Sequence, residues 1–161
     1  MPTFSIRFAA PADVPAILAM IRELAEFEKL THLFVADETA LAEALFAERP
    51  HCECLVGEED GRPVAFALFF HNFSTFLARR GLYLEDLYVK PEHRGRGHAE
   101  AMLRELARIA VERGCGRFEW SVLDWNENAI RFYRKMGAEV MPDWRICRVT
   151  GDGLSALARQ G

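Results

Sequence analysis

Three groups of side chains have types and spacings that could do chemistry. The first lies in EHRGRGHAEAML, residues 92–103, where Arg94 and Arg96 alternate with Gly95 and Gly97 just before a helical pattern begins. At a helix N-terminus the first N–H groups have no partner inside the helix, and the helix dipole favours negative charge. Glycines let the backbone take positive φ and let a ligand approach the amides closely, while the arginines add positive charge. The stretch reads either as a phosphate cradle or as a charged turn with a glycine cap, and the loop alone leaves both open. A Walker loop is excluded because the lysine and hydroxyl it needs are missing. A dinucleotide fingerprint is excluded because Gly97 is followed by His98, Ala99 and Glu100, deep in the chain.

The second group is Glu85-Asp86, flanked by Leu84 and Leu87 in GLYLEDLYV. Successive strand residues face opposite sides, so at least one carboxylate meets an apolar layer, which is costly unless the charge is paired. It is either salt-bridged to an arginine at the sheet surface or a general base whose pKa desolvation raises toward neutrality. The third group is in DWNENAIRFYRKMG. Asn126 is a competent N-cap, Trp125 reads as packing, and Tyr133 shares a helix face with Ala129, Ile130 and Met136. On pattern alone Tyr133 is a core aromatic. His51, Cys52 and Cys54 resemble metal ligands, but no second ligand pair follows at zinc spacing. With Cys115 and Cys147 they read as thiols of a reducing compartment, and no metal is expected.

The elements that must position these groups follow from periodicity. Residues 4–8 form a short strand. Asp13 can cap a helix running to about Lys29, with Pro15 in its first turn and Val14, Ile17, Leu18, Ile21 and Leu24 at helical spacing. Asp37 caps a second helix with Leu41, Ala44 and Leu45 inside. CECLVGEEDGRPVAFALFF is a hairpin turning at Asp60-Gly61, and GLYLEDLYV is the next strand. The helix after the arginine–glycine stretch buries Ala99, Met102, Leu103, Leu106 and Ala110 and stops at Gly114. RFEWSVLD is a strand, and a short helix from Asn126 to Met136 ends at Gly137. AEVM and WRICRVT are expected as the last strands, before a brief terminal helix. This order predicts one α/β domain over residues 1–161, with a mixed, mostly antiparallel sheet of about six to seven strands and about four to five flanking helices.

Composition narrows the class. The 161 residues carry a net charge of −4, so a general nucleic-acid binder is excluded and any anion site is a local patch. No apolar run approaches the roughly 20 residues of a membrane span, and the N-terminus lacks the layout of a secretory signal. A cytoplasmic protein without membrane or nucleic-acid partners is expected.

Strand YLEDLYV, Pro91, RGRGHA and then a helix resemble the acyl-CoA loop of the GCN5-related N-acetyltransferases, Q/R-x-x-G-x-G/A, matched by Arg94, Gly97 and Ala99. The order LAEFEK, LYLEDLYV, RGRGHA, DWNENAIRFYRKMGA and DWR resembles the spermidine/spermine acetyltransferase-like branch over nearly the whole chain. The resemblance implies an acetyl-CoA-dependent transferase for a primary amine of a small molecule, acting by direct attack in a ternary complex. A non-catalytic acyl-CoA-binding module, or an acetyltransferase for protein amines, is the alternative.

It implies that the amides of Arg94, Gly95, Arg96, Gly97, His98 and Ala99 hold the pyrophosphate. Leu87, Tyr88 and Val89 would meet the pantetheine arm through their backbone, and Asn126 would lie near it. Glu85 is implied as general base through a water, and Tyr133 as general acid to the departing thiolate. Glu28, Asp86 and Trp144, with Asp143 nearby, are implied on the amine side. The stretch HNFSTF (residues 71–76) lacks the acid and tryptophan of the polyamine enzymes, which argues against spermidine and makes a shorter amine, a lysine analogue or another diamine-like metabolite, an equal candidate beside the diamines and polyamines of the branch; it could also be a loop closing over the acceptor. A homodimer is implied by the branch.

Overall fold

In the computed structural model, which describes residues 2–160, the chain forms two compact units that divide between Ser121 and Val122. The first unit is built on a five-stranded sheet of β1 (Phe4–Phe8), β2 (Glu53–Glu59), β3 (Arg62–Ser74), β4 (Arg79–Val89) and β5 (Phe118–Trp120), in that spatial order. β1 to β4 pair antiparallel and β5 joins β4 in parallel. A parallel step needs a long crossover, and α3 (His98–Glu112) supplies it. Helices α1 (Val14–Phe27) and α2 (Glu38–Phe46) connect β1 to β2.

Local chemistry sets these boundaries. Asp60 (φ 50°) and Gly61 (φ 79°) both sit in the left-handed region, as a two-residue hairpin turn matched to strand twist requires. Asp37 Oδ1 accepts from the Ala40 N–H at 2.8 Å and starts α2. Asp13 serves differently from a simple cap. Its carboxylate accepts from Arg7 at 2.6 and 2.8 Å and from the Ala10 N–H at 2.7 Å, clamping β1 to the start of α1. One face of the sheet packs Cys54, Val56, Phe66 and Tyr88 against Ile17, Met20, Leu41 and Leu45 of α1 and α2. The other is covered by α3, whose Met102, Leu103 and Leu106 are buried.

The second unit contains α4 (Glu127–Lys135) and α5 (Gly151–Arg159). Asn126 Oδ1 accepts from the Ala129 N–H at 3.2 Å, so Asn126 is the N-cap. The expected inner face, Ala129, Ile130, Tyr133 and Met136, is half-buried, while Glu127, Arg131, Arg134 and Lys135 are exposed.

The α/β class, the mixed sheet and the five helices match expectation, but the sheet has five strands rather than six to seven. AEVM and WRICRVT do not form strands: among the described residues nothing pairs with the backbone of residues 139–149. RFEWSVLD contributes only Phe118–Trp120. Strand-like composition describes how a side chain fits a sheet surface; the strand itself needs a ladder partner. HNFSTF is likewise only partly a loop, since His71–Ser74 complete β3. No helix of the described residues is long and apolar enough to cross a membrane.

Candidate active site

The centre of β4 is shaped by a bulge. Leu68 of β3 pairs with Asp86 and its neighbour Phe69 pairs with Leu84, so Glu85 is an extra residue on β4. The insertion exchanges faces. Leu82 and Leu84 before it share the α3 side with Leu87 and Val89 after it, whereas Asp86 and Tyr88 turn to the side of α1. Asp86 thus extends the cross-strand row Cys54–Leu68, in a layer that α1 and α2 make apolar. The spacing of the leucines and valine at 82, 84, 87 and 89 breaks strict alternation once, and that break is the readable trace of the bulge.

Three carboxylates converge here. Burial pushes the Asp86 carboxyl up to about 6, with further contributions from the charges of Glu85 and Glu28. Glu28, just past the end of α1, is itself pushed up by burial. Glu85 is exposed on the bulge. Among the described residues no cation and no hydrogen-bond donor reaches Asp86. A carboxylate left in this state attracts an ammonium or a proton.

Parallel pairing of β4 with β5 covers only Leu82 to Leu84. Among the described residues no strand pairs with β4 on that side from Glu85 to Val89, which leaves an edge able to bond an extended ligand arm. Tyr88 can take part only through its backbone, because its ring is buried and its hydroxyl donates to Glu23 at 3.3 Å. The Val89 carbonyl accepts from Arg94 Nε at 2.8 Å. The Arg94 guanidinium lies over the rings of Tyr88 and Phe27, at 5.3 and 5.7 Å.

The loop that follows has the form of a cradle. Gly95 (φ 76°) and Gly97 (φ 82°) are left-handed, and a Cβ at either would meet nothing within 4 Å. Among the described residues, the N–H groups from Gly95 to Glu100 have no acceptor; the first bonded one is Ala101, to the Gly97 carbonyl at 3.0 Å. Such a run of amides at the start of a helix is a receptor for phosphate oxygens. The side chains of the loop do something else. His93 Nδ1 and His98 Nε2 each donate to Glu59 Oε2 at 2.8 Å, and Arg96 Nη1 donates to Glu59 Oε1. His98, expected beside the cofactor, is buried with its ring turned onto Glu59, which leaves its N–H as the group available to a ligand. Glu59 and His93 had no signal of their own in the sequence, since a carboxylate beside a hairpin turn is ordinary there.

In the second unit, Tyr133 is half-buried with its ring 5.6 Å from that of Phe132. Trp144, between α4 and α5, is 76% exposed. Cys115 Sγ lies 3.8 Å from His71 Nδ1 without forming a nucleophile–base pair. His71 Nε2 accepts from Arg113 at 3.0 Å, which puts the proton on Nδ1, and that N–H donates to the Gly81 carbonyl at 3.0 Å. The imidazole has no lone pair left for the thiol proton.

The sheet with a short parallel pairing, the bulged β4 and the amide-lined turn into α3 define an acyltransferase scaffold. The Acetyltransferase (GNAT) family matches residues 18–138, and the chain belongs to that family as an acetyltransferase of the spermidine/spermine acetyltransferase-like branch. It is 38% identical to L-ornithine N5-acetyltransferase NATA1 of Arabidopsis thaliana, over 94% of this chain and 86% of that one. It is 38% identical to thialysine N-epsilon-acetyltransferase of Sus scrofa, over 98% and 99%. Among solved structures, an integron cassette protein from the mobile metagenome of V. cholerae superposes with a TM-score of 0.82, at 25% identity and 98% coverage of both chains.

Proposed function

We propose that this protein moves an acetyl group from acetyl-CoA to a primary amine of a small molecule, by direct attack in a ternary complex. The observation that carries the reading is the run of unpartnered N–H groups from Gly95 to Glu100 next to the unpaired β4 edge. These fit a diphosphate followed by an extended arm: the amides of the loop hold the first, and the backbone of Leu87, Tyr88 and Val89 meets the second; resemblance adds Asn126 to the cofactor contacts. When bound, acetyl-CoA supplies an activated acetyl thioester. The family match runs through the boundary at residues 121 and 122, which supports one N-acetyltransferase domain.

An alkylammonium with a pKa near 10 must lose a proton before its nitrogen can attack. The Glu85-Asp86 pair serves that step. Glu85, exposed on the bulge, draws the ammonium and raises its neighbour; Asp86, at about 6, takes the proton. Resemblance alone assigns the base to Glu85; the difference in surroundings supports Asp86 instead. Tyr133 is the general acid to the departing thiolate. Resemblance assigns Glu28 and Trp144 to binding of the amine. The acceptor is an amino acid with a side-chain amine rather than spermidine. The relatives named for ornithine and thialysine support this, as does the missing acid and tryptophan in HNFSTF.

The protein works in the cytoplasm, in keeping with its four unpaired cysteines. It works as a homodimer, in keeping with the unpaired stretch 139–149 and its exposed Trp144, Ile146 and Val149. Light scattering should report twice the chain mass. The functional test is thiol release from acetyl-CoA with ornithine, thialysine, lysine, diaminopropane, spermidine and a lysine peptide, and turnover of an amino-acid amine is expected. CoA binding without turnover of any amine would leave a non-catalytic acyl-CoA module, and turnover of the peptide alone a protein acetyltransferase. Tyr133→Phe should lower kcat on the order of tenfold or more at unchanged CoA affinity; an unaltered kcat removes Tyr133 from the acid role.

A further inference from the structure

Glu59 is the last residue of β2, immediately before the Asp60-Gly61 turn, and only 6% exposed. Its base is firm. It pairs with Phe4 across β1, the Asp60 N–H donates to the Thr3 carbonyl at 3.0 Å, and the Thr3 N–H donates to Asp60 Oδ1 at 3.0 Å. From this fixed point one carboxylate reaches three successive pieces of the phosphate loop. His93 closes the short 3-10 turn Pro91–His93, Arg96 stands between the two left-handed glycines, and His98 is the first residue of α3. All three donate to Glu59. His98 is also stacked on Phe4, with ring centroids 3.8 Å apart and planes 8° apart.

We propose that Glu59, although negative, is the positioning residue that makes the loop receptive to the CoA diphosphate, and that Arg96 serves the ligand through Glu59 rather than by touching phosphate. The proposal rests on the acetyl-CoA reading above. With the side chains of His93, Arg96 and His98 turned onto one carboxylate, the loop is held at three points, and among the described residues its amides from Gly95 to Glu100 keep no acceptor. The guanidinium charge of Arg96 is committed to Glu59, so the affinity for phosphate comes from the oriented N–H groups and the helix terminus. Glu59 also sets both imidazoles: His93 must carry its proton on Nδ1 and His98 on Nε2 to donate as they do.

Electrostatics and positioning make opposite predictions, which gives the test its sign. Removing a negative charge next to an anion site should tighten CoA binding if charge alone counted. Removing the hub should weaken it, because a glutamine offers one oxygen to three donors. CoA is titrated into the purified protein by calorimetry, and KM and kcat are measured for acetyl-CoA. Glu59→Gln is expected to raise the CoA Kd about tenfold, as loss of charge-assisted bonds implies, with the defect in KM for acetyl-CoA rather than in kcat. An unchanged or tighter Kd overturns the proposal.

His93 is partly exposed and carries the test without a buried substitution. His93→Ala should weaken CoA about threefold, a smaller loss of one donor, and His93→Asn, whose amide nitrogen can replace Nδ1, should restore it. Equal Kd values for the two His93 variants would count against the hub. The Glu59→Gln, His93→Ala double variant should bind no more weakly than Glu59→Gln alone, since both act through one carboxylate; additive losses refute it. If the unsubstituted protein does not bind CoA, the acetyl-CoA reading itself fails, an outcome distinct from a loss confined to the variants.

Discussion

Glu59 and Asp86 are carboxylates set into one sheet, on β2 and β4, and their surroundings are opposite. Glu59 receives three donors, and the His98 and His93 hydrogen bonds with the charge of Arg96 hold it below the usual carboxylate range. Asp86 receives none among the described residues, has two more carboxylates near it, and is pushed up to about 6. Burial alone therefore does not decide what a carboxylate is for. The donors around it do. A satisfied carboxylate organises structure, here the loop for an anion; an unsatisfied one keeps its affinity for a proton or an ammonium, as an amine site requires.

The largest effect that could break this contrast is catalytic. Asp86→Asn should lower kcat/KM for the amine on the order of 10²–10³-fold at pH 7, the range of a lost general base, while Glu85→Gln should cost less. In the unsubstituted enzyme kcat/KM should climb as pH rises through about 6, where Asp86 loses its proton, and Asp86→Asn should abolish that rise. Equal losses for the two carboxylates, with the rise retained in Asp86→Asn, would return the proton to Glu85.

Stability offers the next effect, with opposite signs at the two sites. The folded pKa of Asp86 is raised from 3.8 to about 6, so its contribution is complete below 3.8 and is lost as pH climbs through 6. At pH 8 the ionised form costs the fold up to about 3 kcal/mol. Asp86→Asn should therefore raise the melting temperature at pH 8 and change it little at pH 4. Glu59 has a folded pKa below its ordinary 4.5; its contribution is present above 4.5 and fades in acid. Glu59→Gln should lower the melting temperature at pH 8, and the gap should narrow as pH falls. Two shifts of the same sign at pH 8 would refute the contrast.

The smallest effect sharpens it. Glu28→Gln removes one of the charges that raise Asp86, and should move the pH–rate rise to lower pH with a minor change in maximal rate. No movement would take Glu28 out of the carboxylate group.

Much of this molecule was legible before any coordinates. The hairpin at Asp60-Gly61, the cap at Asp37, the N-cap at Asn126 and the amide-lined turn at Gly95 and Gly97 are local features, set by residues within a few positions of one another. The bulge at Glu85 was half-legible, through the broken alternation of residues 82 to 89. The two expected late strands were misread because AEVM and WRICRVT have strand composition, whereas a strand exists only where another supplies its hydrogen bonds.

The sequence by itself determined the family, the helix caps, the turn types and the loop able to receive a diphosphate, because each depends on short-range spacing and on intrinsic backbone preference. Tertiary structure decided which carboxylate is satisfied. Glu59 meets His93, Arg96 and His98 from more than thirty positions away, and Asp86 meets Glu28 only because α1 ends over β4. Hydrogen-bond supply and desolvation are properties of assembled neighbours, so the surroundings of these two acids were set by packing and not by spacing along the chain.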